Sequence, residues 1–263
     1  MPGAFVERYG PWALVAGASE GLGEAFVRGL AARGLHVLAL ARREAPLVAL
    51  ANDLSAKHGV EVRPVVQDLA APDLGQCVEA ITAELEVGLL VHNAAFANIG
   101  RFLERPLESL LMTLDVGCRA PVLLSRVLAE PMASRGRGGI VLMSSLAGTQ
   151  GSAYLATYAA TKAFNLVLAE GLWDELGERG VDVLACRAGA TRTPGFEATS
   201  GRYQGAVMEP SAVVEDALTK LGRGPGTIPG VKNKLSAFAL SHFLSRRAAA
   251  RIMGKTTRKI YED

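Results

Sequence analysis

Cysteine is scarce in this 263-residue chain: Cys77, Cys118 and Cys186 form an odd, widely spaced set. Such a set supports neither a disulfide framework nor a thiolate metal site, so reduced core thiols and a cytoplasmic setting are expected. Histidine is also sparse, with four residues and no pair at metal-ligand spacing. An excess of one charge is missing as well. The 28 Lys and Arg against 26 Asp and Glu leave a formal charge of +2, too even to make nucleic acid a natural partner. No apolar run is long and uncharged enough to span a bilayer. The opening MPGAFVERYGPWALVAG carries an acid and a base inside its apolar stretch and no cationic lead, so no signal peptide is expected. Internal repeats and low-complexity linkers are lacking too.

What is present is apolar surface for a large core, with 49% hydrophobic residues. Short apolar runs alternate with longer amphipathic ones, the pattern of repeated βα units around a parallel sheet. Strands are expected at 12–16, 36–41, 60–66, 88–93, 139–144 and 181–187, and helices near 21–33, 44–58, 72–85, 106–134, 152–179 and 210–221. Apolar strands bounded by glycine suit a sheet covered on both faces. Right-handed crossovers then make the economical α/β fold one open, doubly wound parallel sheet with helices on both sides, a single domain over residues 1–263. Residues 188–209 are rich in Gly, Thr and Pro and read as a long functional loop; RGPGTIPGVKNKLS is a second loop-like stretch with a place for the last strand.

Directly after the first strand, AGASEGLG places Gly17, Gly21 and Gly23 at the start of a helix. Glycines let a backbone turn tightly and approach a pyrophosphate, and the helix N-terminus offers free N–H donors. Ser19, Glu20 and Leu22 belong to the same turn. The second strand ends in Ala41, Arg42 and Arg43, where a site for NAD usually offers an acid; arginine suits a 2′-phosphate and favours NADP, with NAD still open. Glu20 either repels that phosphate or pairs with Arg42 or Arg43 and orients it. Asp68, followed by Leu69, is placed to accept from an adenine amino group or to cap the next helix. In ATYAATKAFN, Tyr158 and Lys162 stand at i and i+4, which puts a phenol and an ammonium beside one space on a helix.

Adding VHNAA after the fourth strand and MSSLAG after the fifth, the set resembles the short-chain dehydrogenase/reductase family over roughly residues 10–195. The resemblance implies a Rossmann-type domain with seven parallel strands, and hydride transfer between NAD(P) and an alcohol or carbonyl (CH–OH/C=O). By the same resemblance Tyr158 is the general acid/base, Lys162 holds the nicotinamide ribose and favours the phenolate, and Ser145, thirteen residues before Tyr158, hydrogen-bonds the reacting oxygen. Ser144 is its neighbour and points the other way if the strand continues through it. Asn93, Ala94 and Ala95 fall in the family's turn beside the adenine ribose, and Thr191 and Thr193 where it touches the nicotinamide carboxamide. Homodimers or homotetramers through 106–134 and 152–179 are also implied.

The chain departs from the family pattern at Ala16, His92, Ala95 and Ala188-Gly189, and more seriously at Gly117, where an asparagine ordinarily holds a water leading to the lysine. His92 reads more naturally as a packing or turn residue than as a base or ligand. Two functions compete: an NADP(H)-dependent oxidoreductase acting on an apolar carbonyl or secondary alcohol, and a catalytically weakened NAD(P)-binding sensor or scaffold. The basic, amphipathic segment 235–263 either covers the substrate pocket, packs on a partner subunit, or lies on an anionic membrane surface.

Overall fold

The computed structural model describes residues 2–199, 203 and 205–261. After α1 (Pro2–Tyr9) come β1 (Trp12–Ala16), α2 (Gly21–Ala31), β2 (His36–Ala41), α3 (Glu44–His58), β3 (Val62–Val66), α4 (Leu74–Thr82) and β4 (Val87–His92). The second half runs α5 (Leu107–Leu114), α6 (Ala120–Arg135), β5 (Gly138–Ser145), α7 (Ala156–Gly177), β6 (Val181–Ala188), α8 (Pro194–Thr199), α9 (Pro210–Lys220), β7 (Gly226–Thr227), α10 (Val231–His242) and α11 (Arg246–Tyr261). The strands form one parallel sheet in the order β3-β2-β1-β4-β5-β6-β7.

The order reverses at β1, and it is there, beyond the carboxyl ends of β1 and β4, that a doubly wound sheet opens a crevice. Period-two alternation feeds both faces. Ala13 and Val15 of β1 pack with Phe26, Leu30 and Val214 on one side, while Trp12, Leu14 and Ala16 pack with Leu90, Leu124 and Leu142 on the other. A fully buried Leu or Phe stabilises by about 1.5–3 kcal/mol each, so a strand buried on both faces is anchored along its whole length. Register then aligns the strand ends: Ala16 sits opposite His92, and His92 opposite Leu142.

The stretch expected as one helix over 106–134 is two. Between α5 and α6 the backbone widens into a π-helical turn, Asp115–Arg119, in which the Ala120 N–H donates to the Asp115 carbonyl. The helix expected from 152 begins at Ala156, and the loop 188–209 contains the short α8. Positions 200–202 and 204 of that loop, and 262–263 of the C-terminal segment, lie outside the described residues.

Candidate active site

The turn after β1 is shaped by what its glycines lack. Gly17 and Gly21 hold φ of +84° and +59°, the left-handed region that side chains resist. A Cβ on Gly17 would lie 2.7 Å from the Ala94 Cα, and one on Gly23 would collide with the Gly17 carbonyl. Asn93 donates from Nδ2 to that same carbonyl at 3.0 Å, and the Asn93 and Ala94 amides both donate to the Ala16 carbonyl. The Asn93 side chain is thus spent on bracing the turn. Thr193 is carried to within 2.9 Å of where a Gly21 Cβ would be, and Thr191 is tied by its hydroxyl to the Gly189 carbonyl. The loop after β6 therefore faces the glycine turn. Bare backbone, an α2 N-terminus without a side-chain cap and a facing loop are a cradle of the kind a pyrophosphate fills.

The ambiguity over Glu20 resolves in this structure. Arg43 donates to Glu20 at 2.6 Å and to the Ser19 hydroxyl at 3.2 Å. Among the described residues no carboxylate pairs with Arg42, which is exposed at the end of β2. Glu20 and Ser19 are accordingly occupied with Arg43, and Arg42 is the guanidinium left for a ligand. Asp68 uses Oδ1 to accept from the Ala70 N–H at 3.0 Å, a turn-closing role, while Leu69 is buried in the core. Leu22 packs against the core and Ala95 is exposed.

At the other end of the crevice, β5 runs through Ser145, so its last two residues point to opposite sides. The Ser144 hydroxyl is buried and donates to the Lys162 carbonyl at 2.7 Å, which clamps α7 to the strand. Ser145 turns toward the Tyr158 phenol. Burial pushes the phenol pKa up, the Ser145 hydrogen bond opposes this, and the Tyr261 phenol of α11 adds to the rise. One N–H of the Lys162 ammonium is given to the strand. Its Nζ donates to the Met143 carbonyl at 2.8 Å and lies 5.7 Å from the Tyr158 ring centre. With 3% exposure and no carboxylate among the groups that act on it, the ammonium is itself lowered to about 8 by burial.

Gly117 stands in the π-helical turn, and the reason for glycine is visible. A Cβ there would meet the Thr161 Cβ at 2.7 Å and its Cγ2 at 2.9 Å, so α7 closes into the space where a side chain would be. His92 is fully buried beside this turn, and apart from a weak contact with the Val116 backbone its ring nitrogens make no hydrogen bond of ordinary geometry. Burial first, and the Lys162 charge second, push its pKa down to about 3, with the Val116 backbone opposing weakly. Asn165, one turn past Thr161 on α7, is also fully buried with both amide atoms unpartnered. Sequence reasoning passed over Asn165, although a polar residue at i+3 from Lys162 and i+4 from Thr161 on an inward stripe was the signal available.

The C-terminal helices roof the substrate side. Ser152 and Thr257 share a buried hydroxyl contact at 3.1 Å, and α11 lies against Ala153 at Gly254. This seats Tyr261 near Tyr158 and Tyr203, with Phe196 edge-on to Tyr203 at 5.4 Å. Tyr154, at φ +66°, is the one non-glycine residue with positive φ among those described, and its backbone carbonyl accepts from Gly100. A cavity of about 400 Å³ opens beside it, lined by Phe102, Leu110 and Thr157 with Arg101, Arg105 and Arg258 at its edge. Among the described residues no cluster of three or more His, Cys, Asp or Glu could hold a metal, and no helix is long and apolar enough to cross a membrane.

Comparison with known proteins fits this geometry. A 7beta-hydroxysteroid dehydrogenase from Collinsella aerofaciens is 33% identical over 234 residues, 87% of this chain and 89% of that one. A solved 7beta-hydroxysteroid dehydrogenase superposes with a TM-score of 0.89 at 30% identity, over 95% of this chain and 98% of that one. A short-chain dehydrogenase from Sphingobium yanoikuyae, solved in complex with NADPH, superposes with a TM-score of 0.81 at 32% identity, over 88% and 92%. Residues 11–203 match the short chain dehydrogenase family, and with the seven-stranded sheet in place the chain belongs to that family of oxidoreductases.

Proposed function

We propose that the protein is an NADP(H)-dependent oxidoreductase that interconverts a carbonyl and a secondary alcohol on an apolar small molecule, with a steroid ketone as the first substrate class to test. The observation that carries this reading is the meeting of Ser145, Tyr158 and Lys162 at the carboxyl end of β5, across the crevice from a glycine turn with Arg42 beside it. NADPH, when bound, supplies the hydride. Gly17, Gly21 and Gly23 would admit its pyrophosphate, Arg42 its 2′-phosphate, and Thr191 and Thr193 its nicotinamide end. The relatives' substrates and the neighbour's NADPH support this reading.

Hydride addition builds negative charge on the substrate oxygen, which needs a proton donor in place before the charge develops. Tyr158 supplies the proton, and its raised pKa keeps the phenol protonated at neutral pH, which suits reduction. Ser145 donates a second hydrogen bond to the same oxygen. Lys162 hands a proton on to the resulting phenolate. The cavity lined by Phe102 and Leu110 and the ring cluster Phe196–Tyr203–Tyr261 exclude water from an apolar substrate. Intact acid, donor and lysine argue against a sensor or scaffold.

The test is turnover of a 7-oxosteroid and a panel of aromatic and aliphatic ketones with NADPH and with NADH. Tyr158→Phe is expected to lower kcat by on the order of 10² to 10⁴ with NADPH affinity unchanged. Arg42→Ala is expected to cost NADPH about 10- to 100-fold in affinity and NADH nothing, the effect of one charge-assisted bond. Wild type that binds NADPH saturably and reduces no carbonyl would reject the enzyme reading.

The same reading includes a homo-oligomer in a reducing cytoplasm. The exposed apolar residues Leu107, Leu111, Val122, Val167 and Trp173 on α5, α6 and α7 support self-association, and three free cysteines support the compartment. The exposed Leu235, Phe238 and Phe243 of the C-terminal segment leave a peripheral membrane contact as the second use of that surface; flotation on anionic vesicles with and without residues 235–263 separates the two.

A further inference from the structure

Residues 231–261, which form α10, α11 and the turn between them, contain eight Lys and Arg and no Asp or Glu. Arg247, Arg251, Lys255 and Arg258 follow one another at spacings of four, four and three, so they stand in one stripe along α11. Like charges at such spacings weaken a helix. Among the described residues none of the four has a carboxylate partner, whereas Arg28, Arg33 and Arg43 each have one. A charged face alone is ordinary solvated surface; its place in the fold is what matters here.

The stripe lines a cavity of about 620 Å³ that shares Ala153 and Arg258 with the cavity of about 400 Å³ beside Tyr154. Arg258 therefore stands where the two meet. The buried contact between the Ser152 and Thr257 hydroxyls fixes the turn of α11 that carries it. Three residues further along the helix, Tyr261 acts on the Tyr158 phenol, so the cavity is tied to the proposed acid through a single helical turn. A second guanidinium comes from the loop before α5. Gly100, at φ +146°, has no side chain, and a Cβ there would lie 2.8 Å from the Arg105 Nε. Arg105 is thus laid over bare backbone at the cavity's edge, and among the described residues no carboxylate pairs with it. Arg101 differs, being engaged with the Tyr154 phenol at 3.2 Å and with Glu104 at 3.8 Å.

The rest of the smaller cavity's wall is largely apolar, with Phe102, Leu110 and Ala156. Asn98, on the same wall, is 8% exposed and its Nδ2 has no protein partner. Among the described residues no Asp or Glu lines either cavity. Such a space fits a ligand that is apolar along its body and anionic at one end. A guanidinium fork takes a carboxylate through two parallel charge-assisted bonds, and an uncharged ester answers it far more weakly. We propose that the substrate carries a carboxylate remote from its reacting carbonyl, that Arg105 and Arg258 bind this carboxylate, and that the stripe on α11 draws the anion to them. The inference rests on the oxidoreductase reading above and names its substrate class, an amphipathic oxo-acid whose body is a steroid or a fatty chain. Arg105 and Arg258 set specificity: they act on KM and leave hydride transfer alone.

Two matched pairs test this with NADPH: a 7-oxosteroid side-chain acid against its methyl ester, and a long-chain oxo fatty acid against its methyl ester. In at least one pair the KM of the acid is expected about tenfold below that of the ester, with kcat within about twofold. The pair that shows this identifies the body. Arg105→Gln and Arg258→Gln should each raise the KM of the acid about five- to tenfold and leave that of the ester unchanged. Raising salt from about 0.1 to 1 M should weaken the acid alone, since screening shortens the reach of the stripe. Equal KM values for acid and ester in both pairs, or a preference for the acid that both Gln variants retain, overturns the proposal. Both arginines are exposed, so the variants should fold; should either fail, the wild type decides, and an acid KM indifferent to salt overturns the proposal. Calorimetric titration of acid and ester into the protein without cofactor reads the same preference with no turnover. A wild type inert on every carbonyl that still binds the acid about tenfold tighter rejects the enzyme reading and leaves the anion site standing; an active wild type indifferent to the carboxylate does the reverse.

Discussion

The glycine turn after β1 and the space behind Lys162 lie at the ends of adjacent strands and follow opposite plans. At the turn, side chains are missing and backbone fills the room: Gly23 abuts the Gly17 carbonyl, and Asn93 donates to the same oxygen. Behind Lys162, side chains are present and hydrogen bonds are missing, with His92 and Asn165 short of partners of ordinary geometry. The first region holds its shape by excluding atoms, so every added atom is a defect. The second stores unsatisfied polarity and a buried charge, so removing Lys162 there relieves the fold while harming the proposed chemistry. Stability and function are aligned at one strand end and opposed at the next.

That contrast can be broken from the lysine side first. Burial holds the Lys162 pKa at about 8 against an ordinary 10.5, so the folded protein binds fewer protons than the unfolded chain between those values. The penalty is complete below pH about 8 and fades as pH rises toward 10.5. Lys162→Met should therefore be more stable than wild type at pH 7 by on the order of 3 kcal/mol, less what the Met143 carbonyl costs on losing its donor. The advantage should shrink in denaturant midpoints taken at rising pH. A variant no more stable at pH 7 would show that burial does not strain the ammonium. On the turn side, Gly23→Ala should lose about 1–3 kcal/mol from overpacking against backbone that cannot yield. Calorimetry and NADPH titration should then fall together, which separates the turn from the lysine, where they part. Smallest is Asn93→Ala, which removes one side-chain bond to the Gly17 carbonyl. A loss of about 1 kcal/mol is expected, read as a lowering of Tm by about 2–4 °C with kcat retained.

How much could be read in advance also divides along this line. WALVA and HVLALA are bounded as their apolar runs suggest, because strands buried on both faces are apolar almost throughout. The glycine spacing located the turn, since φ and close approach are properties of single residues. The pairing of Glu20 with Arg43 rather than Arg42 was open, because both arginines are adjacent and only the strand end decides which way each points. The break at Asp115–Arg119 has a signal in Pro121, which lacks the N–H that an unbroken α-helix would give to the Gly117 carbonyl; the approach of Gly117 to Thr161 of α7 was hidden, because those residues are far apart in sequence. Lys162 finding the Met143 carbonyl was hidden for the same reason, since every residue has a carbonyl and sequence does not say which is free. The rise of the Tyr158 pKa was not legible either, since it comes from burial of the phenol and the ammonium is turned to the strand.

The approach of Gly117 to Thr161 also constrains how this site can be altered. A Cβ at 117 would stand 2.7 Å from the Cβ already present at 161, so shortening Thr161 to alanine does not make room. At this helix spacing the two positions behave as one locus with space for a single Cβ. An asparagine at 117 is reached through glycine at 161 or through a displaced α7, and Lys162 moves with that helix. Random single substitution will keep finding the asparagine unfit, whatever its chemical merit. A library meant to rebuild this corner has to vary 117 and 161 together.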